Sequence, residues 1–214
     1  MDAEMAAPIY IRIRFSKMGD ARYLSHHNLM SLWERAFRRA KVQIALSAGF
    51  SPKPIMRFGP PIPVGYEAHN ELLDIRIDRD IDTDATVIDL NQHLPTGIKV
   101  SAVSTLSSKP KSLMACAKSG VYFVLLKEPV ADLPGQIANF LSLHELEMEI
   151  SRGERTRTLD VRNAVLELEA HSLEAMTMKL HLGENASCRP DDVLAAMSLE
   201  GQQVSRTTVI YELE

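Results

Sequence analysis

Ser25-His26-His27-Asn28 places a hydroxyl and two imidazoles at the start of a helix-patterned segment, and three chemistries are open to that grouping. The imidazoles could ligate a metal ion. His26 could move a proton or contact an anion at the positive end of the helix. Alternatively, Ser25 could serve as a plain N-cap, accepting from the backbone N–H of Asn28. Adjacent helical residues point about 100° apart, so His26 and His27 cannot readily share one ion, and no metal site is expected. Further along, Arg35, Arg38, Arg39 and Lys41 form a basic run. Guanidinium groups suit phosphate, which they bind through paired hydrogen bonds.

Arg12, Arg14, Lys53 and Arg57 fall in or beside the same N-terminal region, and Tyr10 and Phe50 supply aromatic rings. Aromatic residues next to arginines can stack bases and hold the backbone of single-stranded RNA. The expected ligand-binding set is therefore Arg12, Arg14, Ser25, His26, Arg35, Arg39, Phe50, Lys53 and Arg57. The competing reading is a solvated basic face with no ligand. No phosphate-binding G-x-x-x-x-G-K-[ST] loop, H-E-x-x-H site, G-x-S-x-G elbow or paired zinc cysteines are present, so no catalytic residue is named and no cofactor is expected.

Between Ser47 and Gly65 lie five of the eleven prolines and three of the ten glycines. Proline fixes φ and removes a donor, whereas glycine permits turns and close approach. Such a stiff loop either presents a surface at low ordering cost or carries the chain around the helix end.

The elements that must position these residues follow from periodicity. Ile9 to Phe15 alternates, with Ile9, Ile11, Ile13 and Phe15 on one face and Tyr10, Arg12 and Arg14 on an opposite, open face, which predicts a half-buried strand. Leu29, Leu32, Trp33, Ala36, Phe37 and Ala40 recur at helical spacing and predict a helix over 26–41. A short strand over 55–58, strands over 71–78 and 98–106 and a helix over 84–94 complete the first half. The pattern recurs as a strand over 121–127, a helix over 133–146, a strand over 147–152, two strands around a turn within 165–182, a helix over 189–197 and a strand over 206–213. An extra strand or hairpin falls near 155–161, where an ion pair is expected to join Asp160 to Arg162 or to the N-terminal half. Two βαββαβ runs predict an α+β protein of two tandem ferredoxin-like units, with antiparallel sheets and helices on one face. The expected units are a basic one over 1–107 and an acidic one over 120–214, with a hinge within 107–119.

Composition narrows the class. With 45 % hydrophobic and 24 % charged residues in 214, the chain is globular rather than disordered or fibrous. No apolar run approaches the roughly 20 residues of a membrane helix, and the acidic start does not resemble a signal peptide, which predicts a cytoplasmic protein without a membrane partner. Cys116 and Cys188 stand far apart and predict two free thiols. The net charge of -4 is unevenly spread: residues 1–66 carry ten Lys/Arg against four Asp/Glu (+6), and the remainder fourteen against twenty-four (-10). Such asymmetry suits an anionic partner for the basic part.

Ser25-His26, Glu34-Arg35-Ala36, Arg38-Arg39-Ala40, Ser47, Gly49-Phe50, Pro52, Pro54 and the Gly59 to Gly65 segment together resemble the radical-SAM-linked family of conserved bacterial hypothetical proteins. Members of that family occur alone or fused behind a cobalamin-binding radical SAM domain. The resemblance is strongest over 9–77 and continues through 157–161 and 188–194. The family shows Ser-His-x-Asp at the helix start, whereas this chain has Asn28 in place of the Asp and a second histidine, His27. Two cysteines cannot supply the three-cysteine motif of an iron-sulfur cluster. The resemblance therefore implies an accessory to a radical SAM protein rather than the radical catalyst. Joined to the basic N-terminal part, it predicts an RNA-binding accessory in RNA modification or processing. Two alternatives stay open: an RNA-directed enzyme using His26, and a scaffold that docks the radical SAM partner through the Pro-rich loop.

Overall fold

Period-two patterning forms β1 (Ile9–Lys17), whose Ile11, Ile13 and Phe15 are buried on one face. In the computed structural model, which describes residues 8–183 and 188–213, the chain is a mixed α+β protein built mainly on antiparallel pairing. It divides into two compact units, one up to Cys116 and one from Ala117.

In the first unit β1 leads through a 3-10 turn (Gly19–Tyr23) to α1 (His26–Arg39), β2 (Met56–Phe58), β3 (Glu67–Ile77), α2 (Thr83–His93), β4 (Ile98–Leu106) and a one-turn α3 (Leu113–Cys116). β1 lies between β4 and β3, and β2 adds to β3, with every pairing antiparallel. Leu29, Leu32, Trp33, Ala36 and Phe37 of α1 and Leu90 of α2 close over Ile11, Ile13, Phe15, Leu73, Ile75 and Ile77, so both helices cover the same sheet face. Trp33 is fully buried at 0 % exposure, edge-on to Phe15 at 5.1 Å and stacked on Phe37 at 5.3 Å. Burying one such side chain contributes roughly 1.5 to 3 kcal/mol.

Local chemistry sets the element ends. Asp82 caps α2 by accepting from the N–H groups of Asp84 and Ala85, both at 3.0 Å, so the helix begins one residue earlier than predicted. The Asn91 side chain then bonds both backbone groups of Val100 at 2.9 Å, tying α2 to β4. Gly97, at φ +92°, lies so close to the 3-10 turn that a Cβ would meet the Met18 carbonyl oxygen at 2.4 Å. Only glycine fits there.

The second unit comprises β5 (Ala117–Leu126), α4 (Leu133–Ser142), β6 (Glu147–Arg152), β7 (Arg155–Asp160), α5 (Val161–Ala164), β8 (Val165–Ala170), β9 (Ala175–His181), α6 (Pro190–Ala196) and β10 (Gly201–Tyr211). β5 sits between β10 and β9, and β8 flanks β9, all antiparallel. β6 and β7 form a separate hairpin. With that hairpin set aside, β5, β8, β9 and β10 repeat the order of the first unit: the fourth strand beside the first, then the third, then the second.

Several expectations are corrected. Tyr10, placed by alternation on an open face, is buried at 8 % exposure. The stretch over 107–119, expected as a hinge, contains the division between the two units but is not without structure: it holds α3 and the start of β5, with Leu113 and Cys116 buried. α4 stops at Ser142, where Leu143 turns extended, and β10 begins at Gly201 rather than 206. The Asp160–Arg162 ion pair does not form. Asp160 precedes α5, and its carboxylate captures the N–H groups of Asn163 and Leu146, both at 3.1 Å, together with the Asn163 amide. Arg162 instead donates to the carbonyls of Leu141 and Val165. Burial alone would push the Asp160 carboxyl up, but these hydrogen bonds together hold it below the usual carboxylate value.

Candidate functional site

Apolar spacing of three and four buries one side of α1, which leaves Arg35, Arg38 and Arg39 exposed on the other. Ser25 Oγ accepts from Asn28 N–H at 3.2 Å and opens the helix. At the far end the Val42 N–H bonds the Phe37 carbonyl at 3.0 Å, and the Lys41 N–H bonds that of Arg38 at 3.3 Å. This is a Schellman closure with Lys41 in the left-handed region at φ 56°, where glycine is usual. The helix therefore ends at Arg39, and Lys41 is turned out as an exposed cation.

Beyond the closure, Ile44 bridges Ile77 at the end of β3, and a tight hairpin projects between Leu46 and Pro54. Ser47 fastens its neck twice, by N–H to the Lys53 carbonyl at 2.8 Å and by Oγ accepting from the Lys53 N–H at 3.0 Å. Phe50 stands at the tip with its whole side chain in solvent. Lys53 is exposed on the same hairpin.

The second part of the Pro-rich loop behaves differently. Gly59, Pro60 and Ile62 are buried, the Gly59 N–H bonds the Leu72 carbonyl, and Gly65, at φ +92°, donates to the Arg22 carbonyl. This part is a packed crossover, so the two readings of the loop apply to different halves of it. His26 lies edge-on to Phe58 at 5.3 Å, beside a depression of about 10 Å³ shared with Pro60, Pro61 and Glu71. That volume holds about one water molecule. Partial burial against Phe58 holds the imidazole of the otherwise exposed His26 below its ordinary value.

The nine residues expected to bind a ligand do not form one patch. Arg12 is engaged by Asp74 through two bonds of 2.7 and 2.8 Å. Arg14 is exposed, but strand alternation puts Arg12 and Arg14 on the sheet face opposite α1. Arg57, on β2, is half-buried and stands opposite Asp74 in the strand register. Arg35 and Arg39, four residues apart, do come together. They line a groove of about 330 Å³ with Leu32 and Ala36, and its other wall is His93, Leu94 and Pro95 at the end of α2. His93 had no sequence signal, because only the packing of α2 beside α1 brings it to the groove.

Between Arg35 and Tyr66 the chain carries six Lys/Arg and no Asp/Glu. None of those six cations has an ion-pair partner among the described residues. This segment can hold anions by hydrogen bonds and charge. Among the described residues no group of three or more His, Cys, Asp or Glu side chains is arranged around a metal-sized site, and no helix is long and apolar enough to cross a membrane.

Residues 10–190 match the profile of a family described as an uncharacterized protein conserved in bacteria (DUF2344). No curated protein matches the chain. Among solved structures, one similar chain belongs to a Cbf5-Nop10-Gar1 complex, with 12 % sequence identity and a TM-score of 0.47. The similarity covers 93 % of this chain and 48 % of that one, so the present chain spans about half the length of its structural neighbour.

Proposed function

The chain belongs to this family of uncharacterised proteins conserved in bacteria, DUF2344, and from that premise we propose that it is an RNA-binding accessory protein acting in RNA modification or processing beside a radical SAM partner. The observation that carries RNA binding is the acid-free run from Arg35 to Tyr66, whose exposed Arg35, Arg38, Arg39, Lys41 and Lys53 have no carboxylate partners among the described residues. Unneutralised guanidinium and ammonium groups on one helix and its adjoining hairpin favour a polyanion, because binding releases the counterions condensed on it. The radical SAM partner rests on the sequence resemblance carried by residues from Ser25 to Gly65 and strongest over 9–77. We read the cytoplasm as its compartment and residues 1–107 and 120–214 as two ferredoxin-like units, a reading supported by their shared strand order.

The test is a fluorescence-anisotropy titration with fragmented bacterial RNA at several salt concentrations. Saturable binding is expected, with the logarithm of affinity falling by roughly 0.7 to 0.9 per phosphate contact for each unit in the logarithm of salt. Arg35→Glu combined with Arg39→Glu weakens binding strongly, while thermal stability stays nearly intact because both side chains are exposed. Absence of saturable, salt-sensitive binding would overturn the reading.

A further inference from the structure

We infer that the hairpin closed by Ser47 and Lys53 is a stacking platform, on which Phe50 takes the face of an unpaired nucleobase, so that the preferred ligand is single-stranded. The inference rests on the RNA reading above and specifies which form of RNA is bound. Phe50 has a relative exposure of 112 %, as open as in an extended chain, whereas Phe15, Phe37 and Phe140 are buried, Phe58 packs on His26 and Phe123 stacks on His171 at 6.3 Å. A bare aromatic ring in water is unfavourable, and nothing in the packing of the first unit requires it.

The backbone that carries the ring is also closed at its neck. Ser47 bonds Lys53 through both its N–H and its hydroxyl, Leu46 bridges Pro54, and Pro52 and Pro54 restrict φ on the descending side. A fixed hairpin offers its tip at small entropic cost.

Charge selects the partner. No carboxylate lies between Arg35 and Tyr66, and Lys41 and Lys53, on either side of the tip in sequence, are exposed. An apolar pocket on a protein would be satisfied by Phe50 alone. A bare ring on a segment that carries cations and no carboxylate matches a polyanion that also presents flat apolar faces, which describes single-stranded nucleic acid. In a duplex those faces are already covered by neighbouring bases, leaving only the phosphates to bind.

The experiment uses the full chain, a fluorescein-labelled oligouridylate, a blunt RNA duplex of the same length and vesicles of phosphatidylglycerol. The wild type is expected to prefer the single strand. Phe50→Ala should lower single-strand affinity about 5- to 150-fold, the range corresponding to loss of one stacked base, with duplex affinity and the salt slope unchanged. Phe50→Trp should retain binding. Arg35→Glu with Arg39→Glu should weaken both RNAs and flatten the salt slope. If Phe50→Ala leaves single-strand affinity unchanged while the arginine variant weakens it, stacking is overturned and RNA binding stands. If the wild type binds neither RNA, RNA binding itself fails and stacking with it. If Phe50→Ala abolishes vesicle binding and spares RNA, the tip is a membrane wedge and the inference is overturned.

Discussion

Arg12 and Asp74 face each other directly across the β1–β3 pair, and the guanidinium grips both carboxylate oxygens, from Nε at 2.7 Å and from Nη2 at 2.8 Å. The Asp74 side chain is 2 % exposed and that of Arg12 15 %, so the pair is largely withdrawn from water. An arginine committed in this way is not available to a ligand.

Arg12→Ala should therefore lower unfolding free energy by about 3 to 5 kcal/mol, since it leaves a carboxylate buried without its partner. Arg14→Ala, two residues along and exposed, should stay within about 0.5 kcal/mol. Denaturant titration of both variants checks this, and equal small effects would refute the assignment.

The two ends of α1 should respond in opposite directions. Ser25→Ala removes the acceptor for the Asn28 N–H and should destabilise by about 0.5 to 2 kcal/mol. Lys41→Gly relieves a left-handed residue at the Schellman closure and should stabilise by about 1 kcal/mol. Thermal melts of the single variants measure both, and a destabilised Lys41→Gly would contradict the strain.

Asp160→Ala should lose about 1 kcal/mol near neutral pH, because α5 and the Leu146 N–H lose their shared acceptor. The folded carboxyl titrates below its ordinary 3.8. Its stabilisation is thus complete above that value and fades as pH falls through the lower folded one. Wild type and variant should converge in stability at acid pH. A gap independent of pH would show that the carboxylate charge is not what matters.

Partial burial beside Phe58 disfavours the charged imidazole of His26, so its NMR titration midpoint should lie below 6.5 and return toward that value in Phe58→Ala. The folded state then resists protonation. Its stability is unaffected above pH 6.5 and declines as pH drops below, a decline that His26→Gln should reduce. A midpoint at or above 6.5 in the wild type would rule this out.

The positions of β1, α1 and the Ser25 cap were legible because each is decided within a few residues, by alternation, by three- and four-residue spacing and by a hydroxyl before an apolar run. The fate of Arg12 was not, since Asp74 is 62 residues away and only the strand register brings the two together. The placing of His93 beside Arg35 and Arg39 likewise depends on contacts distant in sequence. Asp160 looked like half of an ion pair because charge is visible in sequence, whereas a free backbone N–H at a helix start is not. The Pro-rich loop read as one feature, although Ser47 and Lys53 close its first part into a hairpin while Gly59 bonds Leu72 and packs the second.

The acid-free run has a consequence at the bench. With pI near 6.0 and a formal charge of -4 at pH 7, the chain should by its totals pass through a cation exchanger at neutral pH. Retention, however, depends on the local potential that a surface meets within about a Debye length, roughly 10 Å at 0.1 M salt, not on the sum over the molecule. Presented through Arg35, Arg38, Arg39 and Lys41, the protein should be held by sulfonate or heparin resins at a pH where it is an anion overall, and released by modest salt.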